Sequence, residues 1–267
     1  MILEFILIFA ILFAVFVVAY KGAIHEFQIL QKDWTPNIDW SAMLGEQLPI
    51  VIRDVNPEWM GGRWNRAAVE QKTWPIQVMH EGKRMRGQWN TWLAAPPGEP
   101  PIQNWDEITE AAGISLYPWL DGGFRRWNWL PVWCHRQRVG VLGPTDILQV
   151  RKTRAAITLL QATDGVPLQV WLAHEGAVPA SVVGQFAGRD PWSLSTQEVP
   201  WIQEVKYVEV KVRPGNAIAI PTHWWWAVRP LQPIIAAEPT MADGAWYWCA
   251  EFQTPVSWIA SLSAAQG

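Results

Sequence analysis

The stretch from residue 207 to 220 constrains the fold most, because it has the pattern of two β-strands joined by a turn. Three valines alternate with three charged residues here: Val208, Val210 and Val212 with Glu209, Lys211 and Arg213. Such alternation is typical of a strand with one buried face. Residues 214–216 (Pro-Gly-Asn) favour a turn, and residues 217–220 resume an apolar strand. The segment therefore predicts a β-hairpin.

Other short segments extend this prediction to most of the chain. Residues 48–55, 168–172 and 244–252 have the composition of strands. Helical signals are fewer: Asn104 could cap a helix over residues 104–112, and residues 258–265 predict a short terminal helix. Residues 94–101, rich in Pro and Gly, predict a surface loop. Many short strands with few helices predict a mainly β fold, either a barrel or a jelly roll.

Composition limits the possible partners and compartments. The chain has 21 tryptophans and half of its residues are apolar, enough to fill a sizeable core. With 21 basic and 24 acidic residues it lacks the basic excess that phosphate backbones attract, so we expect no nucleic-acid partner. Two cysteines, Cys134 and Cys249, are too few for a disulfide scaffold.

An apolar segment at residues 2–20 predicts a transmembrane helix. Glu4 is its only charged residue, and a helix of this length spans about 28 Å, close to the hydrocarbon core of a bilayer. A cleaved signal peptide is the alternative, but no basic residue precedes the run and residues 18–21 are a poor cleavage site. Because Lys21 and Lys32 follow the segment, the positive-inside rule predicts a single-pass protein with a cytoplasmic body.

Residues 208–228, VEVKVRPGNAIAIPTHWWWAV, resemble the closing hairpin of the JmjC and cupin-like hydroxylases, related to the asparaginyl hydroxylase that modifies a hypoxia factor. That family has an alternating strand, Pro-Gly-Asp, an apolar strand, Ile-Pro, two residues and then Trp-Trp-His. Residues 48–54, 139–145 and 155–165 are similar to other strands of the family, in the expected order. The resemblance implies a cupin-like double-stranded β-helix, or jelly roll.

This resemblance gives a division of the chain into four parts. Residues 1–22 are the predicted transmembrane anchor and residues 23–45 a juxtamembrane segment. Residues 46–255 form the predicted cupin-like domain, and residues 256–267 a C-terminal tail.

The family's metal-binding residues are missing from the matching positions. The resemblance implies Fe(II) held by a His-x-Asp/Glu pair and a distal His, with 2-oxoglutarate as cosubstrate. Trp226 occupies the distal His position, and Gln149 or Arg151 lies nearest the other ligand positions. Residues 165–167 (Gly-Val-Pro) lack the Lys that often holds the cosubstrate. We therefore expect no metal, no cofactor and no catalytic residue.

Other metal or nucleophile sites have weaker support. Cys134-His135 and His174-Glu175 are adjacent pairs, whose side chains point to opposite faces of a strand. His223 could point into the barrel if the register slipped by one residue. Cys134 beside His135 could form a nucleophile pair, although a plain buried cysteine is the commoner case.

Tryptophans and basic residues are candidates for interaction. Three consecutive tryptophans on a strand cannot all face one side, so Trp224 or Trp225, with His223 beside them, could contact a partner at the rim or outer face. The alternative is core packing. The basic residues Lys83, Arg84 and Arg86 could contact anionic lipid headgroups, or could belong to a solvated loop.

These observations predict a membrane-anchored, non-catalytic cupin-like protein with a binding or structural role. Its expected partners are the lipid bilayer and another protein. One alternative is an Fe(II)/2-oxoglutarate-dependent hydroxylase whose ligands lie elsewhere in the chain. A second alternative is a membrane-anchored structural component of a large assembly, such as the layer between a viral capsid and its membrane.

Overall fold

The computed structural model describes residues 6–8, 11, 28–35, 47–55, 69–96, 102–113, 126–127, 130–131, 133–179, 181–194, 197, 199–231, 240–255 and 257–258. The protein is mainly β, as the sequence predicts. The strands are β1 (Leu30–Asp33), β2 (Ile50–Arg53), β3 (Pro75–His80), β4 (Lys83–Gln88), β5 (Arg126–Trp127), β6 (Leu130–Pro131), β7 (Trp133–Leu142), β8 (Leu148–Lys152), β9 (Ile157–Gly165), β10 (Leu168–His174), β11 (Val208–Val212), β12 (Ala217–Pro221), β13 (Trp224–Pro230) and β14 (Ala245–Gln253). The helices are α1 (Trp89–Leu93), α2 (Trp105–Ala111) and α3 (Val183–Phe186), with 3₁₀ segments at Glu175–Ala177, Pro200–Glu204 and Met241–Asp243.

Two sheets pack face to face and enclose the main core. The larger sheet has the order β1-β2-β12-β9-β14-β7, and the smaller one β11-β10-β13-β8. β1 and β2 pair in parallel, and the other neighbours are antiparallel. Valines of β11 and isoleucines of β12 meet in one layer between the sheets, so their alternation directs their apolar side chains to a shared interior.

The strands predicted at residues 207–213 and 217–220 form β11 and β12, but the prediction that they pair as a hairpin is wrong. β11 pairs with β10 in the smaller sheet, and β12 pairs with β2 and β9 in the larger sheet. The turn between them bonds to other strands: Gly215, with φ +85°, donates its N–H to Ala162 and accepts a hydrogen bond from Val55. The turn therefore carries the chain from one sheet to the other.

Both outer faces of the sandwich are also covered. On the larger sheet, α2 docks on β7, where Thr109 Oγ1 accepts a hydrogen bond of 2.7 Å from the backbone N–H of Val139. Four tryptophans pack around α1 and α2 on this side: Trp89, Trp92, Trp105 and Trp246. On the smaller sheet, α3 and the segment Pro200–Glu204 bury Trp171 and Trp225. Many of the tryptophans therefore pack in three apolar layers, one between the two sheets and one on each outer face.

Two sequence predictions need correction at the helix and at the domain boundary. The predicted helix over residues 104–112 is α2, but Asn104 does not cap it. Its amide group instead accepts a hydrogen bond from Gln77 N–H and donates one to Glu107. The larger sheet also includes β1, which lies within the segment predicted as juxtamembrane. Pairing with β2 brings that part of the chain into the folded body.

The predicted anchor at residues 2–20 lies almost wholly outside the described residues. Residues 6–8 and 11 are described there, and they are helical. Among the residues that the structure describes, no helix combines the length and the apolar character needed to cross a bilayer. The predicted terminal helix at residues 258–265 also lies outside the described residues except for Trp258.

Candidate functional site

Arg151 and Trp226 meet between the two sheets, at the position where the family resemblance implies metal ligands. They are directly opposite each other in the β8–β13 register. The guanidinium Cζ of Arg151 lies 4.4 Å from the centre of the Trp226 ring, within the range of a cation–π interaction. Trp226 is 1% exposed, as expected for a side chain that fills the interior.

The tryptophans on either side of Trp226 follow the alternation of the strand. Trp224 faces the same interior layer, and its indole N–H donates to the carbonyl of Gln47 at 3.0 Å. Trp225 faces the other way and packs against Phe186 of α3, with ring centres 5.7 Å apart. Both are buried, at 1% and 5% exposure. Trp224 lies between the sheets and Trp225 lies beneath α3, so neither residue presents the accessible contact surface that the sequence suggested.

Gln149 does not join Arg151 and Trp226. A shift in register between Trp226 and Val228 pairs Val228 with Leu148, and this irregularity in the ladder separates Gln149 from the inward-facing positions. Gln149 is exposed. Its neighbour Val150 faces the outer core and exchanges backbone hydrogen bonds with residues 188 and 189. Of the three positions that the resemblance aligns with metal ligands, the structure therefore brings two together.

A second arginine contributes to the charge of this region. Arg138 on β7 is opposite Cys249 on β14, and Cys249 belongs to the interior layer. Burial lowers the pKa of Arg151, and the charge of Arg138 lowers it further. Burial also raises the pKa of Tyr247 and of Cys249, so both remain neutral near pH 7. The two guanidiniums thus carry positive charge beside neutral groups.

The donor set beside Trp226 does not fit the iron that the resemblance implies. A guanidinium keeps its proton and an indole nitrogen has no free lone pair, so neither can ligate a metal. Within the described part of the chain, no three His, Cys, Asp or Glu side chains form a metal-binding group.

The cosubstrate position that the resemblance suggests also lies elsewhere. Residues 165–167 connect β9 to β10 at the end of the sandwich opposite Trp224, since Leu168 is paired with Pro230 and His174 with Trp224. By strand rise, Leu168 at the end of that turn is about 13 Å from the level of Trp226, which is paired with Leu172. A lysine in the turn would therefore be remote from Arg151 and Trp226.

A polar cluster closes the rim above these residues. One oxygen of Glu175 lies 2.6 Å from Lys152 Nζ, and the other lies 2.7 Å from His223 Nδ1. The hydrogen bond with His223, helped by Lys152, lowers the pKa of Glu175 from 4.5 to about 2 against the opposing effect of burial. His223 therefore points along the rim towards Glu175 rather than into the barrel, so the alternative of a slipped register is wrong.

Sequence reasoning missed this cluster, although one of its signals, the adjacent pair His174-Glu175, was visible. His174 and Glu175 are adjacent, and their side chains diverge as expected: the His174 ring packs against Trp224, with centres 5.3 Å apart. His223 has φ +70°, a value that a turn between two sheets imposes and that composition does not reveal. The side chains of Cys134 and His135 lie outside the described residues.

The basic residues Lys83, Arg84 and Arg86 lie on an exposed hairpin formed by β3 and β4. Every residue of β4 is exposed. The register places Arg84 opposite Met79, and Met79 and Met85 are 36% and 50% exposed. The hairpin thus presents basic and apolar side chains together.

Comparisons with known proteins leave the family open. No protein-family model matches the chain. No curated protein matches it significantly.

Proposed function

We propose that this chain is a membrane-anchored protein whose cupin-like jelly roll binds a partner or builds a structure, without catalysing a reaction. The observation that carries the proposal is the stacking of Arg151 on Trp226, because neither side chain can serve as a ligand to iron. A permanent positive charge at 4.4 Å from the ring centre would also repel a cation brought to the same place.

The strand order supports the jelly-roll part of the proposal. The eight strands from β7 to β14 occupy the orders β7-β14-β9-β12 and β8-β13-β10-β11 in the two sheets. Counted from one to eight, these orders are 1-8-3-6 and 2-7-4-5, and this strand order supports an eight-stranded jelly roll. β1 and β2 extend the first of these sheets at the edge beside β12.

The membrane part of the proposal rests on the apolar segment at residues 2–20 and on the β3–β4 hairpin. Exposed basic side chains beside exposed methionines suit a surface of anionic headgroups, since each basic residue near such a surface contributes about 1 kcal/mol. The second partner in this proposal is a protein, because a non-catalytic domain acts by binding another molecule.

Titration calorimetry of the full-length protein in detergent, with Fe(II) followed by 2-oxoglutarate, tests the non-catalytic role. We expect no saturable binding of either. The variant Trp226→His should also bind no iron, because Arg151 remains beside the new imidazole and Gln149 lies outside the site. A micromolar isotherm with the unmodified protein would instead favour the Fe(II)/2-oxoglutarate-dependent hydroxylase.

A further inference from the structure

Two arginines enter the space between the sheets beside Trp226, one from each sheet. Arg138 is opposite Cys249 in the larger sheet, and Arg151 is opposite Trp226 in the smaller one. Cys249 and Trp226 both belong to the interior layer. Side chains of directly opposed residues project to the same face of a sheet. Both guanidiniums are therefore directed inward, and both side chains remain partly exposed, so solvent reaches them.

No direct ion pair neutralises either arginine among the described residues. The ion pairs of the described residues join Arg53 to Asp33, Arg136 to Asp106, and Lys152 and His223 to Glu175. Neither Arg138 nor Arg151 pairs with a described carboxylate. Glu251 lies on the same face of β14 and acts on both arginines, and Asp146 acts on the neighbouring Tyr247, so carboxylates lie near the two arginines without forming an ion pair with them. Both guanidiniums therefore lack a carboxylate partner among the described residues, which leaves their N–H groups open to an anion from solution.

Hydrogen-bond donors of Trp226 and Arg151 also lack acceptors between the sheets, in the part of the chain that the structure describes. The Nε1 atom of Trp226 is buried and has no hydrogen-bond partner among the described residues. Stacking on the indole covers one face of the Arg151 guanidinium but leaves its in-plane N–H groups available. Such a planar fork binds carboxylate or phosphate through two parallel hydrogen bonds. An unpaired buried donor normally marks strain, function or a bound group.

We propose that Arg138, Arg151 and the indole N–H of Trp226 bind one small oxyanion, a carboxylate or phosphate group, between the sheets. The anion accepts hydrogen bonds from the two guanidiniums and from the indole N–H. This inference rests on the proposed non-catalytic function, because the anion occupies the space where a hydroxylase would hold its metal.

Thermal unfolding of the full-length protein in detergent tests the inference. Inorganic phosphate and acetate are titrated separately, with sodium chloride adjusting every sample to one ionic strength. At about ten times the dissociation constant, the bound anion should raise the unfolding midpoint by about 3–6 °C. The midpoint should approach this increase along a saturation curve, and the more effective of the two salts identifies the preferred group.

Two variants separate the site from general salt effects. Arg151→Gln should lose the saturable increase, whereas Arg213→Gln, which removes an exposed arginine outside both proposed binding surfaces, should keep it. The inference is overturned if neither salt raises the midpoint of the unmodified protein, or if Arg151→Gln responds to the same extent. A saturable iron isotherm would defeat the proposed function, whereas a missing anion effect in a protein that binds no iron would defeat only this inference.

Nuclear magnetic resonance gives a second readout that does not depend on the stability of Arg151→Gln. With ¹⁵N-labelled tryptophan, phosphate or acetate should shift one indole N–H signal in proportion to occupancy. Trp226→Phe should remove that signal, which assigns it. The inference fails if the Trp226 signal stays unmoved while the salt is raised to the same concentration.

Discussion

His223 and Glu175 are joined through both their side chains and their backbones. The imidazole Nδ1 of His223 lies 2.7 Å from Glu175 Oε2, and the Glu175 N–H donates to the His223 carbonyl at 2.8 Å. These bonds attach the end of β10 to the turn between β12 and β13, which belong to opposite sheets. With Lys152, the cluster thus attaches the ends of β8 and β10 to the turn by which the chain enters the smaller sheet, at the rim above Arg151 and Trp226.

Replacing Glu175 with Gln should lower stability at neutral pH and have little effect in acid. The folded pKa of Glu175, about 2, lies below its usual value of 4.5. The stabilisation is therefore complete above about pH 4.5 and is lost as the pH falls towards 2. Since the side chain is 42% exposed, solvent screening limits the effect to about 1 kcal/mol, or about 2–4 °C in the unfolding midpoint.

Thermal unfolding of Glu175→Gln and the unmodified protein from pH 7 downwards measures this difference. Glu110→Gln is a matched control, because Glu110 is an exposed residue of α2. The control should behave like the unmodified protein at every pH. A difference for Glu175→Gln that stayed constant down to pH 3 would contradict the proposed role of the carboxylate charge.

Truncation of Trp226 to Ala should destabilise the protein by about 3–5 kcal/mol, because it leaves a cavity in the interior layer. This loss corresponds to a fall of at least about 6 °C in the unfolding midpoint. Trp133→Ala is the control, since Trp133 is 36% exposed and should cost much less. A change for Trp226→Ala too small to resolve by calorimetry would mean that the indole does not support the core.

Gly140→Ala should destabilise the protein by about 1–3 kcal/mol through overpacking. A Cβ at Gly140 would collide with the ring of Tyr247, which is directly opposite on β14 and 2% exposed. Gly184→Ala is the matched control: no atom lies within 4 Å of its added Cβ, and Ala favours the helix α3. Chemical denaturation should rank Gly184→Ala at or above the unmodified protein, and equal losses would contradict the packing assigned to Tyr247.

The anchor predicted at residues 2–20 should hold the full-length protein in membranes during extraction with alkaline carbonate. Peripheral proteins leave the membrane under these conditions, whereas a spanning helix stays. A variant that lacks residues 1–22 should move to the supernatant and serves as the control. Full-length protein in the supernatant would rule out the anchor.

The sequence predicted the strands well and their pairing badly. The alternation of valines at residues 208, 210 and 212 reports a buried face, and β11 has that face. The alternation does not indicate which strand pairs with β11, because a valine side chain packs equally well beside many different strands. The turn at Gly215 favours a tight reversal, yet its hydrogen bonds to Ala162 and Val55 send the next strand to the other sheet.

The candidate site was also predictable only in part. The match to the family pattern singled out Trp226 and Arg151. Their contact depends on the register of β8 and β13, in which the two residues are directly opposite each other. Gln149 was misjudged because a single irregularity in the ladder changes the direction of every side chain beyond it. Arg138 carried no local signal, since its role arises from pairing with a strand about a hundred residues away.

The position of β7 at the edge of its sheet affects how the protein folds during synthesis. Its partner in that sheet is β14, and roughly a hundred residues separate the two strands. At about 5–20 residues per second, a ribosome needs about 5–20 s to make that interval. The hydrogen-bonding edge of β7 is unpaired during this time, which exposes a strand to aggregation and favours slow, late folding. Completion of the larger sheet therefore waits for the synthesis of β14.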